Sequence, residues 1–274
     1  MSATLSYTLL GTGGSHGIPC LGCSCRVCTS EDPRDKRRRC SLFVETEEVS
    51  ILFDTPPDFR EQALTFGVNH IDALFLTHAH ADHIMGFDDV RRLSHKLEDG
   101  LPVYAPQDTI RQMREKFGYV EQPSYDARAV PRIQFSALRE PITVGNLCIT
   151  PLPVPHGPNE TYGYRIDSPR HAIAYIPDCS AIPKQTRTLL DDLDVMILDG
   201  LRPSPHPTHL NFEQAAAYLT DIRAKRSIIT HITHSLPHSE LQELMAPFIV
   251  VGWDGLRETL QQEVECDHGS VEIK

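Results

Sequence analysis

"THAHADHIMGF", residues 77–87, follows the apolar run "IDALFL" and gathers His78, His80, Asp82 and His83 into one short segment. A core strand would continue with apolar residues, and a surface turn would use Gly, Asn and Pro. Three imidazoles this close suit neither, unless a cation holds them together. His78 and His80 are two positions apart, so in extended chain they project the same way. Asp82 and His83 follow where the chain turns into a helix, and face the same space from a second direction.

Working outward, other strands end in a residue able to bind metal. "LCITPLPVPHG" reads as a strand ending at His156, "HAIAYIPDCS" as one ending at Asp178, and "RSIITHITH" as one ending at His231. Ligand-type residues at the C-terminal ends of strands converge on one rim of a sheet even when far apart in sequence. A single histidine of this kind is usually a hydrogen-bonded structural residue. Five histidines and two aspartates together supply enough N and O ligands for two divalent ions, with Asp178 able to bridge them.

Further strands are "LSYTLLGTGG", "SLFVET", "SILFDT", "LPVYAP" and "DVMILDG", the last ending at Asp199. Helices are expected at "PDFREQALTFG", with Pro57 at its start and Gly67 at its end, at "QDTIRQMREKFG" and at "NFEQAAAYLTDI". "HADHIMGFDDVRRLSHK" begins a helical segment. Residues 119–140 carry the weakest pattern and are read as a flap or insertion. Strands buried on both faces, alternating with helices, predict a layered α/β arrangement. No Gly/Ser or Pro linker divides it, so one domain over residues 1–274 is expected.

The 274 residues suffice for a sizeable core, and 40% hydrophobic with 23% charged residues is ordinary for a soluble globular protein. No stretch approaches the roughly 20 apolar residues of a membrane span. The start, "MSATLSYTLLGTGG", lacks a basic n-region; a cytoplasmic protein without a membrane partner is expected. A net charge of −11 repels polyanions and opposes a nucleic-acid partner. The basic run "RDKRRR", residues 34–39, reads either as a solvated loop or as an anion contact. Of the eight cysteines, Cys23, Cys25 and Cys28 form C-x-C-x-x-C, three thiolates toward a tetrahedral metal site. Cys40, Cys148, Cys179 and Cys266 sit singly and read as small buried hydrophobes.

"HAHADH" resembles the H-x-H-x-D-H signature of the metallo-β-lactamase-fold hydrolases, and His156, Asp178 and His231 occur in that family's order. The resemblance covers essentially the whole chain and implies a four-layer αββα sandwich with metals at one edge of two sheets. By the match, His78, His80 and His156 would hold one ion, Asp82, His83 and His231 the other, and Asp178 would bridge. Zn, Mn and Fe all suit such ligands. Two ions roughly 3.5–4 Å apart make a shared hydroxide at neutral pH and clamp a phosphoryl oxygen.

"LLGTGGSHGIPCLGCSCRVC", "RRCS", "THITH" and "GWDGL" further resemble the phosphodiesterases of the carbon–phosphorus lyase pathway. That match implies a small or cyclic phosphate ester as substrate, Asp82 and His209 as the catalytic residues, and His209 as proton donor. It also implies His234, rather than nearby Cys20, as the fourth ligand of a structural zinc with Cys23, Cys25 and Cys28. That zinc is expected to tether the N-terminal loop without joining the chemistry. His206 is a weaker candidate donor; Asp54 and Asp58 either orient the histidines or only end a strand and start a helix. Other readings are a tRNA 3′-processing endonuclease, opposed by the acidic charge, and a non-hydrolytic cofactor-biosynthesis protein with a similar cysteine cluster. A flavin-dependent diiron role is opposed by the lack of a flavodoxin-like pattern, thioester or lactam hydrolysis carries no specific residue signal, and a homodimer is left open.

Overall fold

The computed structural model describes residues 4–122 and 130–261. Two seven-stranded sheets face one another. The first holds β1 (Leu5–Gly11), β2 (Ser41–Glu45), β3 (Ser50–Phe53), β4 (Ala73–Phe75), β5 (Leu101–Ala105) and β6 (Ile133–Ala137) in chain order. The second holds β7 (Ile142–Val144), β8 (Leu147–His156), β9 (Asn159–Asp167), β10 (Ala172–Ile176), β11 (Val195–Asp199), β12 (Arg226–Thr230) and β13 (Ile249–Val251). The chain then returns, and β14 (Arg257–Leu260) pairs antiparallel with β1.

Strand alternation builds the layers. Ile51 and Phe53 of β3 and Ile173 and Tyr175 of β10 point between the sheets, into a core shared with Tyr7, Phe75 and Tyr164. Their neighbours point outward. Leu52 and Leu74 meet α1 (Phe59–Phe66), α2 (Ala81–Ile84), α3 (Arg91–Ser94) and α4 (Gln107–Phe117) on one side. Ala174 and Ile176 lie in the outer core of the other sheet with residues of α6 (Phe212–Ile222) and α7 (His238–Leu244), and α5 (Lys184–Arg187) packs on β8 of the same sheet. Burial on both faces is why these strands read as near-continuous apolar runs. The expected four-layer αββα sandwich is the architecture found.

Several local expectations need correction. "HADHIMGFDDVRRLSHK" is α2, a 3-10 turn at Phe87–Val90 and α3 rather than one helix. It breaks at Gly86, where a Cβ would overlap the Pro56 carbonyl. Within residues 119–140, Ile133–Ala137 is an ordered parallel strand beside β5; residues 123–129 and Cys266 lie outside the described residues. The basic run is neither a solvated loop nor an anion contact at Arg37–Arg39. Arg37, 3% exposed, donates to Thr12, the Gly252 carbonyl and His238. Arg38 pairs with Glu61 and Arg39 with Asp58. Asp58 therefore serves Arg39, not a histidine.

Candidate active site

The strands β3, β4, β8, β10, β11 and β12 deliver side chains to one edge of the sandwich. Asp54, directly after β3, is fully buried and takes a left-handed φ of 62°. Its carboxylate accepts from the Thr77 amide at 2.8 Å, the Thr77 hydroxyl at 2.9 Å and His83 Nδ1–H at 2.7 Å. With its proton spent on Asp54, Thr77 Oγ1 accepts from His78 Nδ1–H at 2.9 Å. One buried carboxylate thus fixes the tautomers of two histidines, and each keeps its Nε2 lone pair for the site. His156 is set in the same way, Nδ1–H donating to the Thr208 carbonyl at 2.8 Å.

The ring nitrogens converge. His78 Nε2 lies 2.8 Å and His156 Nε2 3.2 Å from His80 Nδ1. Burial pushes His78 well below the usual imidazole range and His156 down to about 4, so both present neutral lone pairs. The exposed His80 meets the Asn159 amide at 2.7 Å through Nε2, on the open side of the group. On the other side, His83 Nε2 stands 3.1 Å and His231 Nε2 3.3 Å from the two oxygens of Asp178, and Asp82 lies 3.7 and 3.6 Å from the same two nitrogens. Asp178 also approaches His156 at 3.7 Å, touching both groups.

The donor set fits two divalent cations. His83 Nε2, His231 Nε2 and Asp178 Oδ2 are buried and without a hydrogen-bond partner among the described residues, an arrangement proteins rarely leave unexplained. Burial lowers His231, yet Asp178, Asp82 and Asp199 raise it to about 9. Burial likewise lowers His83, but Asp178, Asp54 and Asp82 outweigh it and take His83 well above its ordinary value. The carboxylates call for positive charge, which protons or cations can supply. His231 holds a left-handed φ of 60°, a cost on the order of 1–2 kcal/mol for a non-glycine residue.

His209 joins this group from the segment before α6. Its ring stacks on His231 with centroids 4.7 Å apart, and Nδ1–H donates to Asp199 Oδ2 at 2.9 Å. Asp199, at the end of β11, is fully buried and also accepts from the Cys179 and Leu210 amides. Helix capping at α6 is done by Asn211 with Gln214, so His209 is not needed as a cap. His206 lies at the outer side, ring centroid 5.0 Å from His209.

A second cluster lies at the N-terminal loop. Cys23, Cys25 and Cys28 place their sulfurs 3.5, 3.4 and 3.5 Å from His234 Nδ1. Tetrahedral zinc with ordinary Zn–S and Zn–N bonds separates S from N by about 3.6 Å, so the four atoms are spaced for it. Cys20 instead donates its thiol to the Gly17 carbonyl, while its amide meets Cys28 Sγ at 3.3 Å. The Cys28 amide and His234 pull the Cys25 thiol down to about 6, toward the thiolate a metal needs.

A family model described as a beta-lactamase superfamily domain matches residues 50–232. The chain belongs to the beta-lactamase superfamily. Within it the chain is PhnP-like. It is similar to a solved diphosphatase of the PhnP family, with 38% identity, a TM-score of 0.87, and coverage of 95% of this chain and 99% of that one. A Porphyromonas gingivalis protein named octanoyltransferase is 36% identical over 260 residues, 93% of this chain. The chain spans 51% of that curated relative's length. Coenzyme PQQ synthesis protein B of Xanthomonas oryzae is 28% identical over 225 residues, 70% of this chain and 71% of that protein. Zn-bound PqqB of Methylobacterium extorquens, 22% identical with TM-score 0.78 over 93% of this chain and all of that one, shares the fold. The two clusters here could hold metal ions as well. No helix among the described residues is long and apolar enough to cross a membrane.

Within this superfamily member, sequence reading did not find the partners Asn159, Thr77 and the Thr208 carbonyl, nor the Asp199–His209 pair. The signal for Asp199 was present: it ends a buried strand as Asp178 does.

Proposed function

We propose that the protein hydrolyses small phosphate esters or diphosphates with two divalent cations, His209 acting as proton donor. The carrying observation is Asp178, which lies against both histidine groups and, at 3.8 Å, against His209 as well. The similarity to a PhnP-family diphosphatase supports the same substrate class. His78, His80 and His156 would hold one cation, Asp82, His83 and His231 the other, with Asp178 shared. Bound there, the pair would polarise a phosphoryl oxygen and lower the pKa of a water. The Asp199 carboxylate accepts from His209 Nδ1 and orients the ring. With Nδ1–H committed to that carboxylate, Nε2 carries the proton for the leaving oxygen. Cys23, Cys25, Cys28 and His234 would hold one zinc that pins the N-terminal loop to the segment after β12.

Hydrolysis of bis(p-nitrophenyl) phosphate, adenosine 2′,3′-cyclic phosphate and ADP by metal-loaded protein tests this reading. Turnover of at least one is expected; none on all three overturns it. Octanoyl transfer is named for a longer chain of which this one matches half, so an octanoyl thioester belongs in the same panel as a control.

A further inference from the structure

For His78, His80 and His156 to act as one group, each needs its proton on the ring nitrogen that faces away from the others. The Thr77 hydroxyl and the Thr208 carbonyl see to this for His78 and His156, accepting from Nδ1–H and leaving Nε2 free. His80 is turned the other way. It faces the group with Nδ1, 2.8 Å from His78 Nε2 and 3.2 Å from His156 Nε2, so the lone pair a cation needs there is the one on Nδ1. The proton then belongs on Nε2. That nitrogen meets the side-chain amide of Asn159, 79 residues along the chain, at 2.7 Å.

Asn159 is placed by the hairpin that also supplies His156. It opens β9 and stands directly across the ladder from His156, the last residue of β8. Residues opposite one another in an antiparallel pair project from the same face. Only Gly157 and Pro158 connect the two. Gly157 takes a left-handed φ of 62°, and a Cβ there would stand 3.3 Å from Thr208 Cγ2. The Asn159 carbonyl accepts from the Thr161 hydroxyl at 3.3 Å. One short turn thus carries a histidine of the group and the partner of its neighbour.

A primary amide can serve His80 in either of two ways. As oriented, Nδ2–H donates to Nε2, which keeps the ring proton on Nδ1, facing His78 and His156. Turned over about its Cβ–Cγ bond, the amide presents Oδ1 to Nε2–H and frees the Nδ1 lone pair. A hydrocarbon side chain offers neither contact, and a carboxylate only the second.

We infer that Asn159 is the positioning residue of His80, holding the Nε2–H tautomer that lets Nδ1 join His78 and His156 on one cation. The inference rests on the proposed reading of these three histidines as a cation site.

The test titrates protein stripped of its catalytic ions with zinc, by calorimetry, as wild type, Asn159→Leu and Asn159→Asp. Wild type should take up two equivalents. Asn159→Leu should bind one of them about tenfold more weakly, the usual cost of removing the partner behind a metal-ligating histidine, and the other as before. Asn159→Asp should restore the weakened site. Turnover of bis(p-nitrophenyl) phosphate gives a second readout. The Asn159→Leu deficit should be large at limiting zinc and shrink as zinc rises, with KM little changed. A raised KM that excess zinc does not correct would make Asn159 a substrate contact and overturn the assignment. Equal weakening of both sites, no weakening, or failure of Asn159→Asp to restore would overturn it too, while leaving the cation reading intact. Wild type that binds no zinc beyond the thiolate-held ion would overturn the cation reading and this assignment together.

Discussion

Replacing Asp199 with Asn is the sharpest probe of the proton-transfer step. Asp199 Oδ2 accepts from His209 Nδ1, the Cys179 amide and the Leu210 amide at 2.9, 3.1 and 3.3 Å. The amide oxygen of Asn can still serve the two backbone donors, so the fold around β11 should hold. His209 Nδ1 meets that same oxygen, so the ring keeps a neutral hydrogen bond but loses the negative charge of its acceptor. Replacing a charge-assisted bond by a neutral one corresponds to about 1–1.5 kcal/mol, or roughly a 5- to 13-fold slower step. The assay is kcat on an alkyl-leaving phosphodiester beside kcat on bis(p-nitrophenyl) phosphate, with metal content measured on the same samples. The alkyl ester should show the full loss. The nitrophenyl ester, whose leaving group departs without a proton, should lose less than about threefold. His209→Ala should show the same pattern, and the double variant should be little worse than either. Equal losses on both esters, with ions retained, would refute proton donation through His209.

Other outcomes follow from the same structure. Asp178→Ala should abolish hydrolysis and reduce bound metal while near-native circular dichroism persists, since the histidines keep their own orienting partners; near-normal turnover would remove Asp178 from the site. Cys25→Ser should lose one chelation-resistant zinc and lower Tm by about 5–10 °C; unchanged zinc and Tm would dismiss the tether. Burial, with Arg37 and Arg34, depresses His238 to about 4, and Arg37 donates to its Nδ1 at 3.1 Å. A group depressed in the folded state contributes stability above its unfolded pKa near 6.5 that is lost as pH falls toward 4. The Tm of wild type should therefore drop more steeply than that of His238→Asn between pH 6.5 and 4, and parallel curves would contradict this.

How much of this was legible in sequence depends on where each signal is written. The H-x-H-x-D-H segment is readable because ligand chemistry and strand periodicity coincide in six residues, and strands ending at His156, Asp178 and His231 share that logic. The helices Phe59–Phe66, Gln107–Phe117 and Phe212–Ile222 carry their own stops and caps, Gly67 and the Asn211–Gln214 box among them. β9 was missed because Asn159–Asp167 mixes polar residues with tyrosines and is held by pairing with β8 and β10. Arg37–Arg39 misled because charge usually means solvent; here His238, Asp254, Glu61 and Asp58, from distant segments, meet each arginine. The Asp199–His209 pair is likewise tertiary. Its members are ten residues apart, and only the turn between β11 and α6 brings them together.

The most direct measurement follows activity while ions are counted. Protein treated with a mild chelator should retain one zinc, held by thiolates, and hydrolyse no phosphate ester. Returning Zn or Mn should restore turnover of bis(p-nitrophenyl) phosphate, with the rate levelling off after two further equivalents. Full activity with only the retained zinc, or no hydrolysis at any loading, would contradict a hydrolase working through the Asp178-linked pair of sites.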